Sequence, residues 1–345
     1  IFIHKHHHSA PDFSSKNRPD TPLHPARKAR YCGPSLKRKL AMSRPFRRAL
    51  PLPPMALFTL AALTPFAALA LGIWAGGLWV LPGLLYMAIL TACLDHLIRL
   101  TAPDAPEGAE FPAADALLVT IGAAHLGLFP LAVWAIAGDS GLSPTARVIL
   151  FMAAGQMFGQ ISNPAAHELI HRGQRGLYRL GVAVYATMLN AHHASAHRLV
   201  HHRHVATPLD PNSAQAGESF YRFLPRAYFG SFRAGMAAES EMLARKGSGL
   251  HPYALYLPAQ VAALAFGFAL AGWAGLMVWL ALGLYATAQL MLSDYVQHYG
   301  LARAQMPDGR YEPVSDRNSW NAPHWFSSGV MLNAQIGRAS CRERV

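Results

Sequence analysis

Two short strings carry most of the chemistry this sequence could perform. The first, "HELIHR", runs from His167 to Arg172. On a helix, residues four apart share one face, so His167 and His171 would point the same way, with Glu168 beside them. This is the HExxH arrangement, in which two imidazoles hold a metal ion and the carboxylate serves as a base. The second string, "HRLVHHRHVATPLDPNS", begins at His197. His197 and His201 repeat the four-residue spacing, and His202 adjoins them. Neutral imidazole suits iron, zinc, copper or nickel, so three of them on one helical stretch could cap one ion and lean toward a second. Pro208 and Pro211 then stop the helix, because proline lacks the N–H that would continue it. His192, His193 and His204 flank the string and read as solvent-facing or supporting residues.

Two more histidines complete the inventory. His298, in "SDYVQHYG", closes an apolar run, and His324 sits in "NSWNAPHWFSS" between Pro323 and Trp325. His167, His171, His197, His201, His202 and His298 all map to the ends of apolar runs, or to the loop, on one side of a membrane. A catalytic zinc is usually held by three protein ligands with one open position, so six imidazoles suit two ions better. Ionisable groups near membrane depth are functional candidates by default. Cys32, Cys93 and Cys341 lie far apart without a CxxC spacing, which implies neither a disulfide framework nor a thiolate metal site.

The elements that must position these groups are apolar helices. Of the 345 residues, 52% are apolar and only 14% charged, against roughly 25% charged in an ordinary soluble domain. Six runs approach the 20 or so residues needed to cross a bilayer. They lie at about 55–74, 78–98, 113–137, 146–170, 252–272 and 274–296. Gly76–Gly77 marks a tight turn after the first run, "GDSGLSP" separates the third from the fourth, and "AGWAG" separates the fifth from the sixth. The expected fold is therefore all-α: a polytopic membrane protein with six transmembrane helices and a histidine-rich region on one face. The net charge is +12. No basic patch carries the interleaved aromatics of a nucleic-acid surface, so that partner class is set aside. "SRPFRR" before the first run and the Arg-rich stretch from Arg172 to Lys246 place both termini and the large loop in the cytoplasm. The loop at 99–112 falls on the same side by count, although it is acidic.

Both ends differ from the middle. Residues 1–41 are polar and Pro-rich, and Met42 opens a short basic lead into the first apolar run, so 1–41 is expected to be a disordered or non-native extension. Residues 42–335 form the membrane domain. Composition switches abruptly at "IGRASCRERV", Ile336 to Val345, which is expected to be an artefactual tail.

These strings resemble the integral-membrane alkane 1-monooxygenases, within the wider superfamily of histidine-box membrane desaturases and hydroxylases. "HELIHR" resembles the first box, "HRLVHHRHVATPLDPNSAQAGESFYRF" the second box with its trailing segment, and "YVQHYGL" and "NSWNAPHW" the stretch before the last box. The similarity covers most of residues 55–335. It implies six membrane helices and two non-haem iron ions held by His167, His171, His197, His201, His202 and His298. Glu168 would be a bridging or supporting carboxylate, with His204, His324, Asp210 and Tyr299 in supporting positions. It further implies O2-dependent hydroxylation of the terminal methyl of medium or long alkanes taken from the bilayer. Electrons would come from rubredoxin and its reductase, and the setting would be the bacterial inner membrane with the site facing the cytoplasm. Gly155 and Gly159 would let helices approach closely or leave room for an alkyl chain, and Trp74 and Leu85 could limit its length.

Two departures stand out. Ala196 and Val200 occupy positions where many members have an acidic residue and a glycine. The last box, a histidine followed by a histidine pair, is expected just after "LNAQ", where the chain reads "IGRASCRERV" instead. A chain cut there would hold its irons poorly and could be inactive. Three rivals remain. A desaturase or aromatic-methyl hydroxylase would use the same boxes. An intramembrane zinc protease would use His167, His171 and Glu168 with Asp294 or Asp95, and would leave His197–His202 unexplained. A metal transporter would carry its ligands near mid-membrane rather than at one face.

Overall fold

The computed structural model describes residues 54–90 and 114–320. Within them the chain is helical. The only β pairing among the described residues is an isolated bridge between Gln305 and Tyr311. The first apolar run forms α1 (Pro54–Ala75). It ends at the positive-φ pair Gly76 and Gly77, and a 3-10 turn, α2 (Leu81–Leu85) and a π turn follow. Residues 91–98 of the second expected span, the acidic loop at 99–112, both chain ends and His324 lie outside the described residues.

The third run forms α3 (Ala114–Ala137). The fourth is one helical stretch made of α4 (Pro144–Met157), a π turn (Phe158–Ser162) and α5 (Asn163–His171). Ser143 starts it by accepting the Ala146 N–H, and Pro144 occupies the first turn, where its missing N–H costs nothing. After α6 (Arg175–Thr187) come the short α7 (His193–Ala196), a π turn (His197–His201) and α8 (His202–His204). Two long helices follow, α9 (Phe220–Lys246) and α10 (Tyr253–His298).

α10 is a hairpin rather than a rod. Ala271 (φ −154°) and Gly272 (φ 57°, ψ −144°) leave the helical region. The chain reverses there, and a Cβ placed on Gly267 would meet the Gly275 carbonyl and the Trp279 Cβ at 3.0 Å. This is the short turn expected at "AGWAG". Among the described residues, α3 and α10 are long and apolar enough to cross a membrane. Much of the α10 surface faces outward with Leu255, Val261, Phe266, Trp273, Met277 and Val296 exposed, the kind of surface lipid would cover.

The core lies where α1, α3, α4, α6 and α10 meet, around Phe129, Phe158, Tyr185 and Trp279. Gly155 and Gly159 do allow a close approach: a Cβ there would lie 2.1 Å from the Tyr285 Cδ1 and 2.2 Å from the Gln289 Nε2. Those two side chains already occupy the space the glycines leave. Trp74 is 85% exposed and Leu85 46%, so both face outward and neither limits an interior channel.

The end of α6 is held by side chains from distant elements. Trp279 Nε1 donates to the Thr187 carbonyl at 2.9 Å, Thr287 Oγ1 to Met188 at 2.8 Å and the Tyr228 hydroxyl to Leu189 at 2.5 Å. Carbonyls at and just past a helix end have no intrahelical partner, and these three find theirs across the fold. The histidine-bearing segment therefore leaves α6 along a fixed path.

Candidate metal centre

Residues 167 and 171 stand at the end of α5, and the 197–202 segment reaches them from the far side of α6. His167, His171, His197 and His202 offer ligand atoms that all lie within 4.8 Å of one another. The Nε2 of His197 is 2.7 Å from the Nε2 of His167 and 2.7 Å from the Nε2 of His202. One ring nitrogen has a single hydrogen-bond site, a lone pair or an N–H, so His197 Nε2 cannot bond to both neighbours. A metal ion satisfies all three together: ligands about 2.1 Å from an ion stand near 3 Å from each other. The donor set therefore fits a metal that prefers imidazole.

The π turn explains how adjacent histidines serve one place. In an α-helix, residue i+5 lies about 140° around the axis from residue i. Here the His202 N–H reaches the His197 carbonyl, which widens the turn by one residue. The His202 ring then lies 4.4 Å from that of His197, while His201 stacks at 5.1 Å. His201 in turn lies 5.0 Å from His298, at the end of α10.

His201 and His298 are each oriented by a fixed partner. His201 donates Nδ1–H to Asp210 Oδ2 at 2.9 Å, and His298 donates Nδ1–H to the Asn318 carbonyl at 2.9 Å. In both rings this leaves the Nε2 lone pair as the ligand atom, the arrangement that orients histidines in metal sites. Asp210 is buried. It also accepts from Ser213 Oγ at 2.7 Å and the Asn212 N–H at 3.0 Å, and Asn212 Nδ2 donates to Asp294 at 2.8 Å. Without a metal, burial opposes a charge on His201, but the Asp210 carboxylate outweighs it and raises the imidazole to about 9, so an ion bound at Nε2 would displace that nitrogen's proton. The same pairing overcomes burial at Asp210 and holds its carboxyl below the usual range. His197 has no carboxylate partner, and burial together with the neighbouring imidazoles drives it well below the ordinary range.

The six expected histidines thus meet in one place. Glu168 is buried beside them, its Oε1 3.6 Å from His167 Nδ1, within reach of that ring and on the side away from His197. His204 is half-buried, with its carbonyl accepting from Thr207. Tyr299 faces elsewhere: its hydroxyl accepts the Gly217 N–H and its carbonyl accepts from Trp320 Nε1. Asp294 belongs to the Asn212 contact rather than to the four-histidine group, so it does not supply the protease arrangement's third ligand, and Asp95, the other candidate, lies outside the described residues. His192 and His193 are buried, not solvent-facing. The sequence reading passed over Asn212, Ser213 and Asn318. Asn212 and Ser213 follow Asp210 in the turn-forming "DPNS", a signal for such local bonds; no local pattern marks Asn318.

Comparison with known proteins agrees with this geometry. Residues 143–336 match the fatty acid desaturase family. The chain is 32% identical over 214 residues to alkane 1-monooxygenase 2 of Pseudomonas aeruginosa, covering 61% of this chain and 57% of that protein. It is 30% identical over 215 residues to alkane 1-monooxygenase of Pseudomonas putida, covering 61% and 53%. It is 28% identical over 208 residues to the hydroxylase component of a xylene/toluene monooxygenase of Pseudomonas putida, covering 57% and 53%. Helical described residues, two helices apolar enough to cross a membrane and a histidine cluster able to hold a metal ion accord with that match, and the chain belongs to the fatty acid desaturase family. It spans a little over half the length of these relatives.

Proposed function

We propose that the protein is an alkane 1-monooxygenase, inserting one oxygen atom of O2 into the terminal C–H bond of a medium- or long-chain alkane. The observation that carries this is the convergence of His167, His171, His197 and His202 on one point, with His201 and His298 adjoining, in a chain whose relatives include alkane 1-monooxygenases. The reading takes all six histidines as ligands of two iron ions. The four-histidine group would hold one, and His201 and His298 would begin the site of the other. Bound iron would supply the reductive activation of O2 and the oxidation of the C–H bond. The chain's own groups do the rest. Asp210 and the Asn318 carbonyl fix the tautomers of His201 and His298, and the α3, α4 and α10 core keeps water from the inner side of the cluster. Glu168 holds a carboxylate beside His167.

The reading also takes the apolar runs as six membrane spans, with the histidines at the cytoplasmic face of a bacterial inner membrane, alkane entering from the bilayer and rubredoxin delivering electrons. The protein, purified in detergent, tests it. About two irons per polypeptide and 1-octanol from octane, in the presence of rubredoxin and its reductase, are expected. One zinc with no iron overturns the di-iron reading. The xylene/toluene relative favours one alternative substrate, a ring-bound methyl group. Oxidation of toluene at its methyl without turnover of octane or hexadecane would select it.

A further inference from the structure

His193 lies outside the four-nitrogen group, yet its surroundings set it against that group. It sits one helical turn before His197, with ring centroids 4.9 Å apart. His167 and His171, which share the same four-residue spacing, are 4.8 Å apart. His193 is 1% exposed, and its Nε2 is sealed from solvent with no hydrogen-bond partner among the described residues. A buried polar nitrogen that has lost its water and gained no partner is unfavourable, so such atoms are uncommon away from ion, water or functional sites. The Tyr185 ring, 5.0 Å away, packs against the imidazole. Its neighbour His192 offers the contrast. It is equally buried, and both of its ring nitrogens likewise lack a hydrogen-bond partner among the described residues, but its ring contacts are Tyr228 at 5.0 Å and Phe232 at 5.3 Å rather than a histidine of the cluster.

We propose that His193 is a further metal ligand of this centre, giving its Nε2 to the ion held by His167, His171, His197 and His202. This rests on the reading of the cluster as a metal centre. Neither the HExxH pattern nor the histidine pair points to His193; the register 193, 197, 201 along one helical face does.

Titration of the detergent-solubilised full chain with Co2+, followed by visible absorption, reports both affinity and coordination number. Wild type is compared with His193→Phe, His193→Gln and, as a control, His192→Phe. His193→Phe is expected to weaken Co2+ binding at least tenfold and to intensify the absorption bands as the coordination number falls. His192→Phe is expected to leave both readouts as in wild type. A folded His193→Phe protein with affinity within twofold of wild type and the same spectrum overturns the proposal. If His193→Phe does not fold, His193→Gln is read by the same two criteria. A wild type that binds no Co2+ removes the metal centre together with this ligand. Binding that is unchanged by either His193 substitution removes the ligand alone.

Discussion

Replacing Asp210 by asparagine separates the electrostatic support of the centre from its shape. The side chain keeps its size and can still accept one hydrogen bond, but the charge facing His201 at 2.9 Å disappears. In the metal-free protein, the gap between about 9 for His201 and its ordinary 6.5 corresponds to on the order of 3 kcal/mol of preference for the charged pair. Because the folded value is raised, that stabilisation is fully present below pH 6.5 and is lost as pH rises through about 9. Thermal unfolding of the metal-free protein between pH 6 and 10 should therefore show wild type losing stability across that window. Asp210→Asn should be less stable at pH 6 and nearly flat with pH. Metal affinity should fall by about 10- to 100-fold, the usual effect of removing a carboxylate that orients a ligating histidine. Parallel pH profiles for the two proteins, or equal metal affinity, would refute the role assigned to Asp210.

Three further outcomes follow from the same geometry. His167→Ala should lose most of the bound iron measured by elemental analysis, whereas His204→Ala, outside the cluster, should retain it; equal losses would contradict the assignment. Gly155→Ala places a Cβ 2.1 Å from the Tyr285 ring and should cost about 1–3 kcal/mol by overpacking. Adding Tyr285→Ala should recover part of that loss in the unfolding midpoint, and strictly additive losses would show that the two side chains do not share the space. Gly272→Ala forces a side chain into a backbone conformation with φ 57° and ψ −144° and should cost about 1–3 kcal/mol, seen as a lower unfolding midpoint with metal stoichiometry unchanged.

The sequence by itself determined the helical class, the approximate limits of the runs that form α1, α3 and the two arms of α10, the tight turn at Ala271–Gly272 and the residue types of the site. These follow from local rules: the length of an apolar run, the conformational freedom of glycine, and the placing of residues four apart on one helical face. Even the choice of His201 and His202 together was available from composition and spacing. Only the tertiary structure decided how they serve one place, because an α-helix would turn His202 away from His197 and the π turn brings it back. Trp74 and Leu85 show the same limit from the other side: as apolar residues they suit an interior as well as a lipid-facing surface, and only packing put them outside. His193 reads as a surface residue until α6 and α9 close around it. Asp210 acquires its partner nine residues back along the chain, and His298 acquires its own from Asn318, twenty residues on, through a loop with no periodic signal. Residue type and helical phase are local properties, whereas burial, tautomer and the meeting of nitrogens depend on which distant segments pack together.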